Sequence, residues 1–250
     1  MRNLAKYDRL RLFGETLPTL REQVQAHLRQ RTLTCEKVTA LVINLLEETL
    51  IRIGNEAYAR QNESYGLTTL QDDHVAVNGA AVVFEFRGKS GKDHEIVLKD
   101  RRLARLVQAC QELPGQQLFQ YLDDNGTVCG LTSTQVNAYL RQVTGCDFTA
   151  KDFRTWGGTV TAARLLHEVG PSSTQKEAEQ QIVQMIKGVA ERLGNTPAVC
   201  RQHYIHPAIL ESYRAGQLSA IYADIAAEKK TPGLAEDEAV VHAILSQSGG

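Results

Sequence analysis

Val82-Val83-Phe84-Glu85-Phe86-Arg87-Gly88-Lys89-Ser90-Gly91-Lys92 is the stretch on which the fold class turns. Its apolar residues fall on every second position, at Val82, Phe84 and Phe86, the side-chain period of a strand with one buried face. Val75 and Val77 alternate in the same way before it, and Ile96 and Leu98 after it. The interruption from Arg87 to Lys92 is Gly-rich and carries three cations, Arg87, Lys89 and Lys92. The pattern predicts a three-stranded antiparallel sheet near residues 74–98 with a basic hairpin turn at its tip. Most turns of this kind are simply solvated, but a cationic tip also suits a nucleic-acid groove. The segment is not a phosphate-binding P-loop, because G-x-x-x-x-G-K-[ST] is absent.

On both sides of the sheet the period is helical. Before it, Val38, Leu41, Val42, Leu45, Leu46 and Leu50 form one apolar face, and Pro18 with a Thr19…Glu22 capping box predicts a helix starting there. After it, from Asp100 onward, the chain reads as almost wholly helical. Leu103, Leu106, Val107 and Cys110 mark one helix. Thr132…Gln135 caps a second that Gly145 ends, and a third runs from Ser173 to Leu193 before Gly194. Two more lie near 218–228 and 236–245. The expected fold is therefore mainly α with a small three-stranded antiparallel β-sheet, an α+β class. We expect one domain over 1–250, with a sublobe of roughly 1–100 that holds the sheet and a helical part over 101–250.

Composition narrows the class. No apolar run is long enough to span a bilayer, and Met1-Arg2-Asn3-Leu4-Ala5-Lys6 lacks the apolar stretch of a secretory signal. The five cysteines, 35, 110, 129, 146 and 200, are odd in number and widely spaced, which reads as reduced cytosolic thiols. Net charge is −1 overall, yet residues 1–110 carry 17 basic and 14 acidic groups while 211–250 carry 3 and 6. That gradient permits a polyanionic partner through a local patch without predicting one.

Three further places hold polar residues that a packed helix does not need. Lys151-Asp152-Phe153-Arg154-Thr155-Trp156-Gly157-Gly158-Thr159 contains the single Trp, and Thr149 with Asp152 forms a T-x-x-D helix start. Arg154 then falls in the first turns of a helix running toward Leu166, where it is either a phosphate ligand or an exposed Arg on a capped helix. Arg52 stands in Ile51-Arg52-Ile53-Gly54, at a helix end, as a site residue or as a snorkelling Arg. Pro197 and Pro207 bracket a short segment, Ala198-Val199-Cys200-Arg201-Gln202-His203-Tyr204-Ile205-His206, that presents its side chains locally.

Taken in order, Arg52, Lys89, Arg154, Asn195 and Tyr204 resemble the catalytic set of type IB DNA topoisomerases. The resemblance covers nearly the whole chain. It includes Ile51-Arg52-Ile53-Gly54-Asn55-Glu56, Tyr65-Gly66-Leu67-Thr68-Thr69-Leu70, Phe86 to Lys92, Lys151 to Trp156, and the Tyr204 segment. It is greatest toward the small bacterial and poxvirus-like members, and it implies the catalytic-domain fold shared by these enzymes and the tyrosine recombinases.

The resemblance implies that Tyr204 attacks a DNA phosphodiester to form a 3′-phosphotyrosyl link, that the freed 5′-hydroxyl strand rotates, and that resealing follows without ATP. Arg52 and Arg154 are the guanidinium forks that suit the extra charge on the transition-state oxygens. Lys89 fits a general acid for the leaving oxygen. No cofactor or metal is implied, and the sequence offers no acidic or His cluster with ligand spacing.

Many members carry His where this chain has Asn195. Asparagine donates a hydrogen bond but cannot hold a positive charge, so its implied role is oxygen contact. Bacterial members similar to this chain carry Asn there. Tyr58, Lys92, Lys151 and Arg201 are candidate DNA-backbone contacts by position, or ordinary surface residues. His203 and His206 flank the nucleophile and read as packing and solvent contacts.

The β-rich N-terminal clamp domain of bacterial members has no counterpart in the sequence. The expected partner is double-stranded DNA, bound by a monomer away from any membrane, in the cytoplasm or, in a bacterium, at the nucleoid. Two other readings remain at this point. A tyrosine recombinase or integrase has a similar site but typically carries His three residues before its second Arg, where this chain has Lys151. A non-catalytic DNA-binding module would not need all five positions filled.

Overall fold

In the computed structural model the described residues are 2–228 and 232–247, with side chains described from residue 9 onward within them. Among them are eleven α-helices and five short strands, so the chain is mainly helical with a small antiparallel sheet, as its periodicities indicate. Contacts divide the chain into two compact units, Glu22–Lys151 and Met1–Arg21 with Asp152–Gly250. The division does not fall near residue 100. The helices after the sheet pack back onto it and its flank, while the first helix contributes its opening turns to the other unit.

The sheet unit is built on α2 (Cys35–Thr49), whose N-terminus is capped by the Thr34 hydroxyl accepting from the Lys37 N–H at 3.2 Å. Val38, Leu41, Val42, Leu45 and Leu46 are all buried, as their helical spacing requires. Strands β1 (Val75–Asn78), β2 (Ala81–Arg87) and β3 (Asp93–Lys99) lie in the order β1-β2-β3, both pairs antiparallel, with Val82 opposite Leu98 and Phe84 opposite Ile96. Val75, Val82, Phe84 and Phe86 face inward. Helix α4 (Arg101–Gln111) covers β1 and β2 with Leu103, Ala104, Val107 and Cys110. Burial pushes the Cys110 thiol up to about 12, against a weaker opposing pull from Lys37.

Two features of this unit depart from the sequence reading. Helix α3 (Glu56–Asn62) follows the Arg52 segment and carries no buried residue, so it has no apolar stripe to read. A second hairpin, β4 (Gln120–Leu122) with β5 (Val128–Gly130), interrupts the region expected to be almost wholly helical. Strands of three residues are too short to show alternation. Their turn is held instead by the Asp123 carboxylate, which accepts from the N–H groups of Asn125 (2.9 Å) and Thr127 (2.7 Å). Helix α5 (Ser133–Thr144) then forms with the expected Thr132–Gln135 capping box and ends at Gly145.

Helix α1 (Arg2–Leu28) corrects another expectation, for Pro18 lies inside it and does not start it. A proline there removes one intrahelical bond and costs about 3 kcal/mol. Phe13, Leu17 and Leu20 are buried on the same helix. Each such burial contributes roughly 1.5–3 kcal/mol, which outweighs the proline.

The helical unit comprises the opening of α1, α6 (Ala150–Val169), α7 (Gln175–Leu193), α8 (Pro197–His203), α9 (Pro207–Arg214), α10 (Leu218–Ala227) and α11 (Glu236–Gln247). Phe13 meets Phe153 edge-on at 5.1 Å and Trp156 at 6.2 Å. The Arg9 guanidinium grips Asp152 through two bonds, 3.1 and 2.9 Å. No helix among the described residues is long and apolar enough to cross a membrane.

Candidate active site

Arg154 is the fifth residue of α6, and it is buried, with 5% of its surface exposed. The reading of it as an exposed side chain on a capped helix therefore fails. Its Nη2 donates to the Leu193 carbonyl at 2.8 Å. Leu193 is the last residue of α7, so its carbonyl is one of those a helix C-terminus leaves without an intrahelical donor, and a cation is favoured beside it.

Gly194 ends α7 in the left-handed region, at φ 60, and the Asn195 N–H returns to the Ala190 carbonyl at 2.9 Å. That turn puts Asn195 two residues from the carbonyl holding Arg154. Thr196 caps α8 through the Val199 N–H, Pro197 takes the first helical position, and Cys200 is the fully buried residue of this helix.

Tyr204 closes α8, its N–H bonded to the Cys200 carbonyl at 2.9 Å. Its half-buried ring lies under the Arg154 guanidinium, with Cζ 5.2 Å from the ring centroid, within the range of a cation–π contact. The structure thus brings together, inside one unit, a tyrosine, a buried guanidinium and the turn that carries Asn195. Arg201 is exposed on α8, and its charge adds to the field at Glu179. The Glu179 carboxyl is held low chiefly by its hydrogen bond from Arg214.

Arg52 and Lys89 belong to the sheet unit. Arg52 lies just past the left-handed cap of α2 at Leu50, φ 56. Its segment is paired with the 65–69 turn, where Leu67 N–H donates to the Arg52 carbonyl (2.8 Å) and Thr68 N–H to that of Ile53 (2.7 Å). Gly66 makes the approach possible, since a Cβ there would stand 2.5 Å from both the Arg52 carbonyl oxygen and the Gly54 nitrogen. Tyr65 N–H in turn donates to the Arg87 carbonyl at 2.8 Å. One hydrogen-bonded path therefore joins the Arg52 segment to the hairpin that carries Lys89.

Lys89 itself is exposed on a tight turn over Lys89–Gly91, in which Gly88 N–H meets the Lys92 carbonyl at 2.7 Å and Ser90 adopts φ 66. His94 stacks on Phe86 at 5.1 Å behind the tip. Of the remaining sequence candidates, Tyr58 on α3, Lys92 at the hairpin and Lys151 at the start of α6 are all exposed. Among the described residues no group of three or more His, Cys, Asp or Glu could hold a metal ion.

The sequence profile of the eukaryotic DNA topoisomerase I catalytic core matches residues 1–231 of this chain. The chain belongs to that family. Within it, the type IB topoisomerases of viruses are among the relatives. The chain is 28% identical over 216 residues to DNA topoisomerase 1B of Acanthamoeba polyphaga mimivirus, covering 84% of this chain and 64% of the relative. Over 177 residues it is 29% identical to DNA topoisomerase 1B of Vaccinia virus (strain Copenhagen), with 68% and 52% covered. DNA topoisomerase 1 of Schizosaccharomyces pombe is 24% identical over 177 residues. The chain thus spans roughly half to two thirds of the length of these viral topoisomerases.

The supports of this topoisomerase I core are the part that sequence reasoning missed. The Leu193 carbonyl is backbone and leaves no residue-type signal. The Gly157-Gly158 pair inside α6 did leave one, because glycines within a helix mark close approach by another chain segment.

Proposed function

We propose that this chain relaxes supercoiled double-stranded DNA by cutting and resealing one strand, without ATP. The Tyr204 hydroxyl oxygen bonds to the scissile phosphorus as the bond from phosphorus to the 5′-oxygen breaks. The phenolic proton passes to solvent, and the leaving 5′-oxygen takes a proton from the Lys89 ammonium. The product is a 3′-phosphotyrosyl link and a free 5′-hydroxyl strand. Rotation of that strand releases supercoils, and its hydroxyl reverses the step.

Arg52 and Arg154 stabilise the charge that builds on the non-bridging oxygens, and Asn195 donates a hydrogen bond to one of them. Tyr58, Lys92, Lys151 and Arg201 contact the DNA backbone. The enzyme acts as a monomer. The observation that carries this reading is the buried Arg154 guanidinium over the Tyr204 ring. A guanidinium held over the ring of the attacking tyrosine is placed to meet the phosphate that the hydroxyl attacks.

Incubation with supercoiled plasmid, and capture of the protein–DNA adduct on a suicide substrate by denaturing gel, test the proposal. Wild-type protein relaxes the plasmid and forms an adduct through a 3′-phosphate. Tyr204→Phe loses both and keeps DNA binding. Unchanged relaxation by Tyr204→Phe refutes the nucleophile, and an adduct through a 5′-phosphate refutes the polarity.

A further inference from the structure

Thr159 lies five residues beyond Arg154 on α6 and is fully buried. Its hydroxyl donates to the Thr155 carbonyl at 2.8 Å, the usual back-bond of a threonine inside a helix. That uses its single proton and leaves lone pairs on the oxygen. One of them accepts the backbone N–H of His206 at 3.1 Å, and the Tyr204 carbonyl lies 3.4 Å from the same oxygen. The turn that follows the candidate nucleophile is thereby hydrogen-bonded to the helix that carries Arg154.

Gly158 completes the seat. A Cβ at that position would stand 2.6 Å from the Tyr204 carbonyl oxygen and 3.3 Å from the Tyr204 Cβ. The carbonyl is backbone and cannot swing aside as the end of a flexible side chain can. On the far side of the turn, His206 Nδ1 accepts the Ala208 N–H at 3.1 Å and starts α9. His206 therefore serves as a helix cap, which gives a structural account of the histidine nearest to Tyr204.

We propose that Thr159 is a positioning residue for the strand-cleavage step. With the close contact at Gly158, it fixes the Tyr204–His206 backbone against α6 and so sets where the Tyr204 hydroxyl stands relative to Arg154. This rests on the reading of Tyr204 as the nucleophile. A tyrosine hydroxyl sits at the end of a long rigid lever, so a small backbone rotation becomes a displacement on the order of 1 Å at the oxygen, and an error of that size can cost about a hundredfold in rate. Valine matches threonine in shape but has no acceptor, which leaves the His206 N–H buried and unpaired.

The test is single-turnover cleavage of a suicide duplex by Thr159→Val, Thr159→Ser, Gly158→Ala and Tyr204→Phe, with DNA affinity and thermal unfolding measured on each. Thr159→Val slows cleavage about tenfold to a hundredfold while DNA affinity stays within about twofold. Thr159→Ser keeps the acceptor and cleaves at close to the wild-type rate. Gly158→Ala, with Thr159 intact, is slow for the steric reason.

A wild-type rate in Thr159→Val overturns the proposal, as does Thr159→Ser as slow as Thr159→Val, or a loss of rate matched by an equal loss of affinity. Should Thr159→Val fail to fold, Gly158→Ala decides, and a wild-type rate there is fatal. Cleavage by Tyr204→Phe overturns the nucleophile itself. An inert Tyr204→Phe beside an unimpaired Thr159→Val overturns the positioning role alone.

Discussion

Glutamine at position 238 is expected to loosen the helical unit, and the size of the effect follows from its contacts. Glu238 on α11 is 8% exposed. Its Oε1 accepts from Arg21 Nη2 (2.7 Å) and from the Trp156 indole N–H (3.1 Å). Its Oε2 accepts from Arg21 Nη1 (2.9 Å) and from the Ala235 N–H (2.9 Å). Glutamine has the same shape but replaces one oxygen with an N–H donor, so two donors lose their acceptor and the guanidinium loses its charge partner. Hydrogen bonds to charged groups contribute about 1.5–3 kcal/mol, and a stranded buried donor costs about 1–3. We expect a loss of about 2–4 kcal/mol at pH 7, below the roughly 3–5 kcal/mol for deleting one partner of a fully buried pair.

The pH dependence has a definite sign. Burial pushes the Glu238 carboxyl up, but the Arg21 hydrogen bond and charge, with the Ala235 and Trp156 N–H groups, outweigh it and hold the group below its ordinary value. Such a group contributes stability above the usual carboxylate range and loses it as pH falls through the lowered folded value. Wild type therefore weakens toward acid more than Glu238→Gln, and the two curves converge. The assay is urea denaturation from pH 7 to pH 3 followed by Trp156 fluorescence. Trp156 is the only tryptophan, so the signal reports the helical unit. A difference below about 0.5 kcal/mol at pH 7, within the range of ordinary surface changes, or a gap that stays constant into acid, would refute the account.

Two further outcomes are expected. Lys89→Ala slows cleavage of an ordinary duplex by about 10²–10⁴-fold, and a substrate with bridging sulfur at the 5′ position, whose leaving group needs no proton, restores the rate; absence of rescue removes the general-acid role. Gly66→Ala drives a Cβ into the backbone of Arg52 and Gly54 and costs about 2 kcal/mol or more by chemical denaturation, with cleavage reduced through the displaced Arg52 segment. Wild-type stability in Gly66→Ala shows that the 51–54 and 65–69 segments are free to separate.

What could be read in advance was whatever repeats along the chain. Val82, Phe84 and Phe86 showed the sheet because alternation is a local signal, and Thr132 and Gln135 marked a helix start because a capping box is complete within four residues. Pro18 misled for the same reason. Its local meaning is a helix start, and what overrides it is burial along a 27-residue helix that no short window samples.

The burial of Arg154 was equally out of reach. A guanidinium that donates to the carbonyl of Leu193, 39 residues away, has no signature in residue type. Asp152 looked like part of a helix start, and its carboxylate is held by Arg9, 143 residues distant. The five candidate residues could be picked out by type and order, but the contacts that hold Arg154 and the turn after Tyr204 are to a backbone carbonyl and a buried hydroxyl.

The division of the chain also sets the order in which its parts can be finished. Residues 22–151 form a compact unit that closes on itself, so all of its contacts are available once residue 151 has been made. The other unit is split. Phe13, Leu17 and Arg21 come before the whole of the sheet unit in the sequence, but the partner of Arg21 on α11 lies 217 residues later. Phe13 meets Phe153 and Trp156 only after the sheet unit has been made, and Arg21 waits longer still for Glu238; contacts of such separation form slowly. The Tyr204 segment belongs to that late-closing part, so its hydrogen bond to Thr159 forms only in the portion of the chain made after the sheet unit is complete.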